Sequence, residues 1–292
     1  MNVGNLKLGI ALLALAPLSA LAEQSVDERW DVDADVTVSV ENVAGEIDIR
    51  GWGRNEVHLT GELGDSVEEL EINQTGSGLQ ITVINRNERN IDSTWLKLSV
   101  PEGANIEASA VSADIGISGL DNKKLMAASV SGDVDIQASS GWVSIESVSG
   151  DVVFNGNTSR ITAESVSGDV ELSGISGDIE ATTVSGDMEL QAGMITSGKF
   201  ETVSGDIGIE GGLSGDGRLT SESMSGDVTI RLPASQAGLF KAQSFSGHIS
   251  TDFGSVKHAK HGPGSHLKFV SGDGGAEIRV ESFSGNIELQ KD

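Results

Sequence analysis

Residues 148–152 read Val-Ser-Gly-Asp-Val, and this motif returns eighteen residues later at 166–170 and again at 184–188, where Met replaces the last Val. Related copies extend from 111–115 to 283–287, and their serines follow one another at steps of 18 to 21 residues as far as residue 246. Repeats of this length are typical of solenoids, in which each unit packs against its neighbours. The sequence therefore predicts an all-β, single-domain β-solenoid with about ten coils of 18 to 21 residues.

Apolar and polar residues alternate between the motifs, as at 170–172 (Val-Glu-Leu) and 161–163 (Ile-Thr-Ala). A period of two predicts strands with one buried face, and half-step copies of the motif such as 175–179 indicate at least two strands per coil. A single coil is too small to bury its apolar face, so the valines of the motif are expected to form internal columns at a spacing of about 4.8 Å. About ten coils at this spacing give a rod about 48 Å long, and the general crossover rule favours right-handed coiling.

Three positions in and before the motif carry structural predictions. The glycine predicts a turn with positive φ, and the Asp beside it is expected to accept hydrogen bonds from backbone N–H groups of its own turn. A hydroxyl lies two residues before each motif serine, and we interpret these hydroxyls as a ladder of mutual hydrogen bonds. The residues concerned are Ser129, Ser147, Ser165, Thr183, Thr202, Ser223 and Ser244.

The N-terminus has the features of a secretory signal peptide at residues 1–22. A short segment with Lys7 precedes the apolar residues 8–18, and Ala20-Leu21-Ala22 matches a cleavage site. The apolar stretch is shorter than the ~20 residues that a membrane span needs. We therefore expect cleavage after Ala22, a periplasmic or secreted protein, and no transmembrane segment in the mature chain.

The mature chain divides into two regions by the regularity of its repeat. Residues 23–103 alternate less regularly and predict an N-terminal β cap with the first coils, which would cover an otherwise open sheet edge. Residues 104–292 hold the Ser-Gly-Asp repeats of the solenoid, which a loop excursion at 252–268 interrupts.

Composition limits the partners of this surface. The chain has 292 residues, no Cys and a formal net charge of -25, so it is expected to repel nucleic acid and to leave basic partners and cations as ligands. A column of glutamates three residues before the motif serines is interpreted as the solvated face of a strand. The alternative is an acidic stripe for a basic partner such as an amino sugar or a polyamine. The column comprises Glu146, Glu164, Glu201, Glu222 and Glu281.

Several motifs resemble those of a known family. Residues 42–49 read Asn-Val-Ala-Gly-Glu-Ile-Asp-Ile, residues 96–103 form a predicted strand that ends in Val-Pro-Glu-Gly, and Ser-Gly-Asp segments follow in series. Over nearly all of the mature chain the sequence is similar to the bacterial putative adhesin family of unknown function, whose members are exported right-handed β-helices. The resemblance implies that fold and, as a function, adhesion.

The motif aspartates are the first candidates for chemistry. If the coils stack at about 4.8 Å, neighbouring carboxylates repel each other by about 0.9 kcal/mol even in water, so another interaction has to offset the repulsion. Backbone N–H groups are the simpler explanation and no cofactor is expected, while divalent cations that bridge successive carboxylates are the alternative. The metal candidates are Asp133, Asp151, Asp169, Asp187 and Asp206.

Two further groups are candidates for binding. His258, His261 and His266 have a spacing that fits a transition-metal site, but they lie in the Gly- and Lys-rich 252–268 loop, whose positive charge disfavours a cation. Trp142 is the candidate aromatic for contact with a glycan, against core or cap packing as the simpler interpretation.

No catalytic motif for an acyl, phosphoryl or thiol mechanism is found in the sequence. The predicted function is therefore a non-catalytic exported β-solenoid that serves as an adhesin or as an envelope binding or scaffold protein, with a glycan or an envelope protein as its partner. The alternative is a β-helix enzyme that acts on polysaccharides.

Overall fold

The computed structural model describes residues 24–76, 78–87, 89–258 and 264–292, so the predicted signal peptide lies outside the described part of the chain. The described residues form twenty strands and no helix. The strands are β1 (Gln24–Asp31), β2 (Thr37–Trp52), β3 (Glu56–Leu63), β4 (Val67–Gln74), β5 (Gly78–Asn85), β6 (Thr94–Pro101), β7 (Asn105–Ser129), β8 (Val134–Ser147), β9 (Val152–Thr158), β10 (Arg160–Glu164), β11 (Val170–Thr183), β12 (Met188–Thr202), β13 (Ile207–Ser223), β14 (Val228–Leu232), β15 (Gly238–Ser244), β16 (Ile249–Thr251), β17 (Lys257–His258), β18 (Ser265–Ser271), β19 (Ala276–Ser282) and β20 (Ile287–Lys291). All twenty belong to one continuous sheet. Within the described ranges no helix is long and apolar enough to cross a membrane.

The strands from β7 to β14 pair in parallel, coil upon coil. Val170 of β11 pairs with Val152 of β9 on one side and with Met188 of β12 on the other, and both partners are eighteen residues away. Strand β10 pairs in the same way with β8 and β11. The sequence period is therefore the period of the stacking, and the prediction of an all-β, solenoid-like fold is confirmed.

The core consists of columns of buried side chains that run along the stack. From Asp114 to Asp227, each residue that follows a ladder Asp is buried, and so is the residue two positions further on, while the residue between them faces outward. Full burial of an aliphatic side chain of this size contributes about 1.5–3 kcal/mol. The two columns contain Ile115, Val134, Val152, Val170, Met188, Ile207 and Val228, and Ile117, Ile136, Phe154, Leu172, Leu190, Ile209 and Ile230.

The valine that opens each motif is not in the core, and this part of the column prediction is wrong. Val148 is 44% exposed, and its equivalents from Val111 to Phe283 are exposed by 42–57%. The alternation of the strand stops at the bend because Ser147 and Gly150 take the two inward positions, so that two consecutive residues, Val148 and Ser149, lie outside.

The motif glycine is required by packing rather than by its φ angle. The glycines with positive φ among the described residues do not include Gly150 or Gly168, so the predicted conformation is wrong for them, although it does occur at Gly177 of the half-step copy (φ 107°). A Cβ on Gly168 would instead overlap the carbonyl oxygen of Gly150 in the preceding coil, and the same holds for Gly186, Gly205, Gly226, Gly247 and Gly285 on the glycine of the neighbouring bend. Gly272 of the 270–273 motif differs, because it has the predicted positive φ (59°) and no such contact. The bends therefore stack so closely that only hydrogen fits between them.

The coils at both ends do not stack in chain order. Strands β19 and β20 lie between β13 and β14 on one side and β15 and β16 on the other, although they follow β15 and β16 in the sequence. At the N-terminal end β2 lies between β7 and the pair β5 and β6. Antiparallel strands cover the stack at both ends: β18 pairs with β15, β4 with β5, and β3 with β6.

Candidate functional site

One edge of the solenoid exposes a continuous row of apolar side chains, which we call the apolar ridge. Hydrogen bonds between adjacent bends establish the order of the row, for example from Ser149 N to the Val130 carbonyl at 3.0 Å. In spatial order the ridge contains Val111, Val130, Val148, Val166, Val184, Val203, Met224, Phe283 and Phe245. The two phenylalanines stack at 4.9 Å between ring centroids. Contiguous exposed apolar surface is a feature of many interaction sites.

A row of carboxylates, the aspartate ladder, flanks the ridge on one side. One oxygen of each Asp accepts a hydrogen bond from the backbone N–H of the next residue in the row, at 2.7–3.0 Å. The row contains Asp114, Asp133, Asp151, Asp169, Asp187, Asp206 and Asp227, and it continues with Asn286 and His248.

The prediction that each Asp is bonded within its own turn is wrong, because the donor belongs to the neighbouring coil. The bends stack in register, so the N–H of Asp151 points along the rod to Asp133 Oδ1 (2.9 Å). A hydrogen bond to a charged group contributes about 1.5–3 kcal/mol, which exceeds the repulsion of about 0.9 kcal/mol between adjacent carboxylates. Among the described residues no ion pair joins a ladder Asp to a basic side chain.

A second acidic row lies on the other side of the ridge, at the ends of the strands that lead into the bends. Glu146, Glu164 and Glu222 are exposed and take part in no ion pair within the described ranges. Glu201 pairs with Lys199 at 2.9 Å, and the hydrogen bonds of Lys199 to Glu201 and Glu180 raise the pKa of its ammonium group. The ridge thus lies between two acidic rows, and the exposed motif serines, such as Ser149, lie between the ridge and the ladder.

The prediction that the buried hydroxyls form a ladder of mutual hydrogen bonds is wrong, because they bond to backbone groups instead. Ser147 Oγ accepts the N–H of Gly150 in its own bend at 3.1 Å and donates to the carbonyl of the same glycine at 2.7 Å. Thr183 accepts in the same way from Gly186. Each hydroxyl therefore fixes its own bend, and by taking the inward position it leaves the next side chain, a ridge residue, in the solvent.

The metal hypotheses receive no direct support from side-chain geometry. Within the described ranges no group of three His, Cys, Asp or Glu side chains is arranged to hold a metal ion. The Oδ1 atoms of Asp133 to Asp206 already accept backbone N–H groups. His261 and the side chain of His258 lie outside the described residues, and His266 is exposed on β18. Cation binding by either group stays a prediction.

Trp142 lies in the middle of β8, half a coil away from the motif bends, beside a shallow depression of about 480 Å³. The ring is half-buried, and Lys124 Nζ lies 5.7 Å from its centroid. Arg160 and Asp178 also line the depression and pair at 3.3 Å. The structure thus places Trp142 at the surface and not in the core, which leaves contact with a glycan as a prediction.

The fold and this edge define an all-β, solenoid-like protein with a repeated surface. The chain belongs to the family described as Toastrack DUF4097, which matches residues 31–290. No curated protein matches the chain.

Three solved structures are similar to the chain at low identity. A putative adhesin from Bacteroides fragilis NCTC 9343 is 12% identical, with a TM-score of 0.46 over 92% of this chain and 98% of that chain. A putative adhesin from Parabacteroides merdae ATCC 43184 is 12% identical, with a TM-score of 0.42 over 91% and 95%. A putative lipid binding protein from Parabacteroides distasonis ATCC 8503 is 13% identical, with a TM-score of 0.41 over 91% and 96%.

Proposed function

We propose that this protein is a non-catalytic, exported β-solenoid that acts as an adhesin or envelope binding protein, and that the apolar ridge is its contact surface. In this proposal the signal peptide is cleaved after Ala22, and the mature chain works in the periplasm or outside the cell. Its solenoid has about ten right-handed coils of 18 to 21 residues. The single observation that carries the proposal is the row of exposed apolar side chains along one edge.

The ridge is not needed to fill the core. Its side chains point outward from bends that the buried hydroxyls and glycines already hold in place. Thr has the β-branched shape of Val and would suit these positions in water equally well, yet the nine positions hold Val, Met or Phe. An apolar side chain that recurs in water coil after coil is explained by a partner that covers it.

The residues that line the depression beside Trp142 support an enzymatic function less well than the ridge supports a binding function. Cleavage of a glycosidic bond generally uses two carboxyl groups on opposite sides of the bond. The residues that line this depression include one carboxylate, Asp178, and it is paired with Arg160. This depression therefore supports action on polysaccharides, the alternative that the sequence left open, less well than the ridge supports binding. A second depression, of about 550 Å³, is lined by Asp31, Asp33 and Asp35 and is where an enzyme would be sought first.

The test compares the exported, purified protein with a ridge variant in binding to envelope extracts and to a glycan array. The ridge variant carries V148T, V166T and V184T, and the matched control is Met194→Thr, which replaces an apolar side chain that is 55% exposed and lies away from the ridge. We expect the ridge variant alone to lose binding. Binding that survives in the ridge variant but is lost in Trp142→Leu would contradict the proposal and assign the function to the depression.

A further inference from the structure

We infer that the partner of the apolar ridge is a cationic amphipathic helix, which lies along the rod with its apolar stripe on the ridge and its basic side chains over the two acidic rows. The inference rests on the proposed function and specifies the chemistry of the partner.

Charge complementarity indicates a basic partner. Seven aspartates lie in the ladder on one side of the ridge and five glutamates in the row on the other. Two of the glutamates, Glu201 and Glu281, already pair with Lys199 and Arg279 at 2.9 and 2.7 Å, so ten carboxylates are left without an ion pair in the described part of the chain. Any segment that covers the valines therefore brings its flanking side chains close to carboxylates. Lysine or arginine at those flanking positions is attracted by the carboxylates of both rows. A neutral segment would leave the repulsion between the carboxylates unchanged, and an acidic segment would increase it.

The backbone of the ridge excludes the addition of an extended strand. The Val130 carbonyl already accepts the N–H of Ser149 at 3.0 Å and the hydroxyl of Ser149 at 3.1 Å, and the same pair of bonds reaches the Val148 carbonyl from Ser167. These carbonyl oxygens are therefore engaged within the solenoid, and β-augmentation requires free backbone groups. A partner has to bind through its side chains.

The spacing of the ridge favours a helix over a strand in that role. Side chains of the ridge repeat once per coil, at about 4.8 Å. The apolar stripe of an α-helix repeats once per turn, at about 5.4 Å, whereas the side chains on one face of a strand repeat at about 6.8 Å. Over four coils the mismatch is about 2.4 Å for a helix and about 8 Å for a strand, so a helix keeps contact over a longer stretch of the ridge.

A second copy of the chain fits the ridge less well. Two ridges that face each other bring acidic rows against acidic rows, and each chain has a formal net charge of -25. Like charges held at an interface oppose association. Self-association through the ridge is therefore an outcome that the experiment has to detect.

The experiment measures binding of a labelled leucine–lysine peptide of about six helical turns, with leucine in one stripe and lysine on both flanks, by fluorescence anisotropy. A peptide of the same composition with a scrambled order controls for charge alone. The protein variants are the ridge triple V148T, V166T and V184T, the control Met194→Thr, and the ladder triple D151N, D169N and D187N. The Asn substitutions keep the oxygen acceptor and remove the charge, as Asn286 does naturally by accepting the N–H of His248 at 3.0 Å.

We expect the ordered peptide to bind the ridge triple about tenfold more weakly than the wild type, and to bind Met194→Thr like the wild type. The ladder triple is expected to bind the ordered peptide more weakly than the wild type at low salt. Its affinity should also fall less when salt is added, because fewer charge pairs that salt can screen contribute to its binding. Equal binding of the scrambled peptide, or unchanged binding by the ridge triple, would overturn the inference. Dimers in sedimentation that the ridge triple abolishes would overturn it too, because they assign the ridge to a second copy.

The same variants separate this inference from the proposed function. A wild-type protein that binds envelope material through the ridge but ignores the ordered peptide would refute the helical partner and leave the proposed function in place. A wild-type protein that binds the peptide through its ridge but nothing in envelope extracts would support the inference about the surface and contradict the envelope role.

Discussion

Replacement of Gly168 by Ala tests the close stacking of the motif bends. A Cβ at this position would overlap the carbonyl oxygen of Gly150 in the preceding coil. This neighbour is backbone within a hydrogen-bonded stack, so it cannot move aside as the end of a flexible side chain would. The two coils must therefore separate at the bend, and the hydrogen bonds that join them there lengthen or break.

The expected loss of stability follows from the hydrogen bonds that the substitution would weaken. Three backbone N–H groups form hydrogen bonds between this bend and the preceding coil, in addition to the Ser167 hydroxyl: Ser167 N to Val148 O (3.0 Å), Asp169 N to Asp151 Oδ1 (2.9 Å) and Val152 N to Asp169 O (2.8 Å). At about 0.5–1.5 kcal/mol each, their loss lowers the free energy of unfolding by about 3 kcal/mol. For a chain of this size that corresponds to a decrease in Tm of about 6–12 °C.

The assay is thermal unfolding followed by circular dichroism, and Gly215→Ala is the matched control. Gly215 belongs to a half-step copy of the motif, and a Cβ there has no heavy atom within 4 Å. We expect the control to melt like the wild type. A Gly168→Ala protein that also melts like the wild type would refute the packing argument. A Gly168→Asn protein that is clearly more stable than Gly168→Ala would restore the positive-φ explanation, because Asn tolerates that conformation.

Three more predictions concern the bends and the charges. Thr183→Val leaves the buried N–H of Gly186 without its acceptor, so denaturant titration is expected to show a loss of about 1–3 kcal/mol, and no loss would contradict the capping role. Because backbone N–H groups already bond the ladder, we expect the same Tm in chelator and in millimolar calcium, and a rise with calcium would establish cation bridging. The hydrogen bond from Lys241 lowers the pKa of Glu277 below 4.5, so this pair stabilises the fold above that pH and its contribution is lost as the pH falls through the lowered value. The stability difference between wild type and Glu277→Gln should therefore shrink on acidification, and a difference that grows would reverse the assignment.

Much of the architecture was predictable because it depends on a local period. The step of 18 to 21 residues between motifs is the length of one coil, and the alternation at 170–172 gives the inward and outward faces of β11 directly. The acidic character of the edge was predictable for the same reason, since Glu164 and Asp169 occupy outward positions in every repeat that carries them. A local period specifies which residues stack, and stacking in register follows from it.

Contacts between coils were decided by the tertiary structure alone. The sequence places Val166 beside a strand, but only the bend shows that the buried Ser165 and Gly168 force it outward and so create the ridge. The insertion of β19 and β20 before β15 and β16 is also invisible in the sequence, because the repeats at 245 and 283 carry the same Phe-Ser-Gly pattern and fit either order. The sequence by itself determined the coil and its two faces, which are set by neighbours along the chain. The order of the last coils, the reason for the glycine and the donor to each Asp depend on which backbone lies about 4.8 Å away, and only the folded stack specifies that.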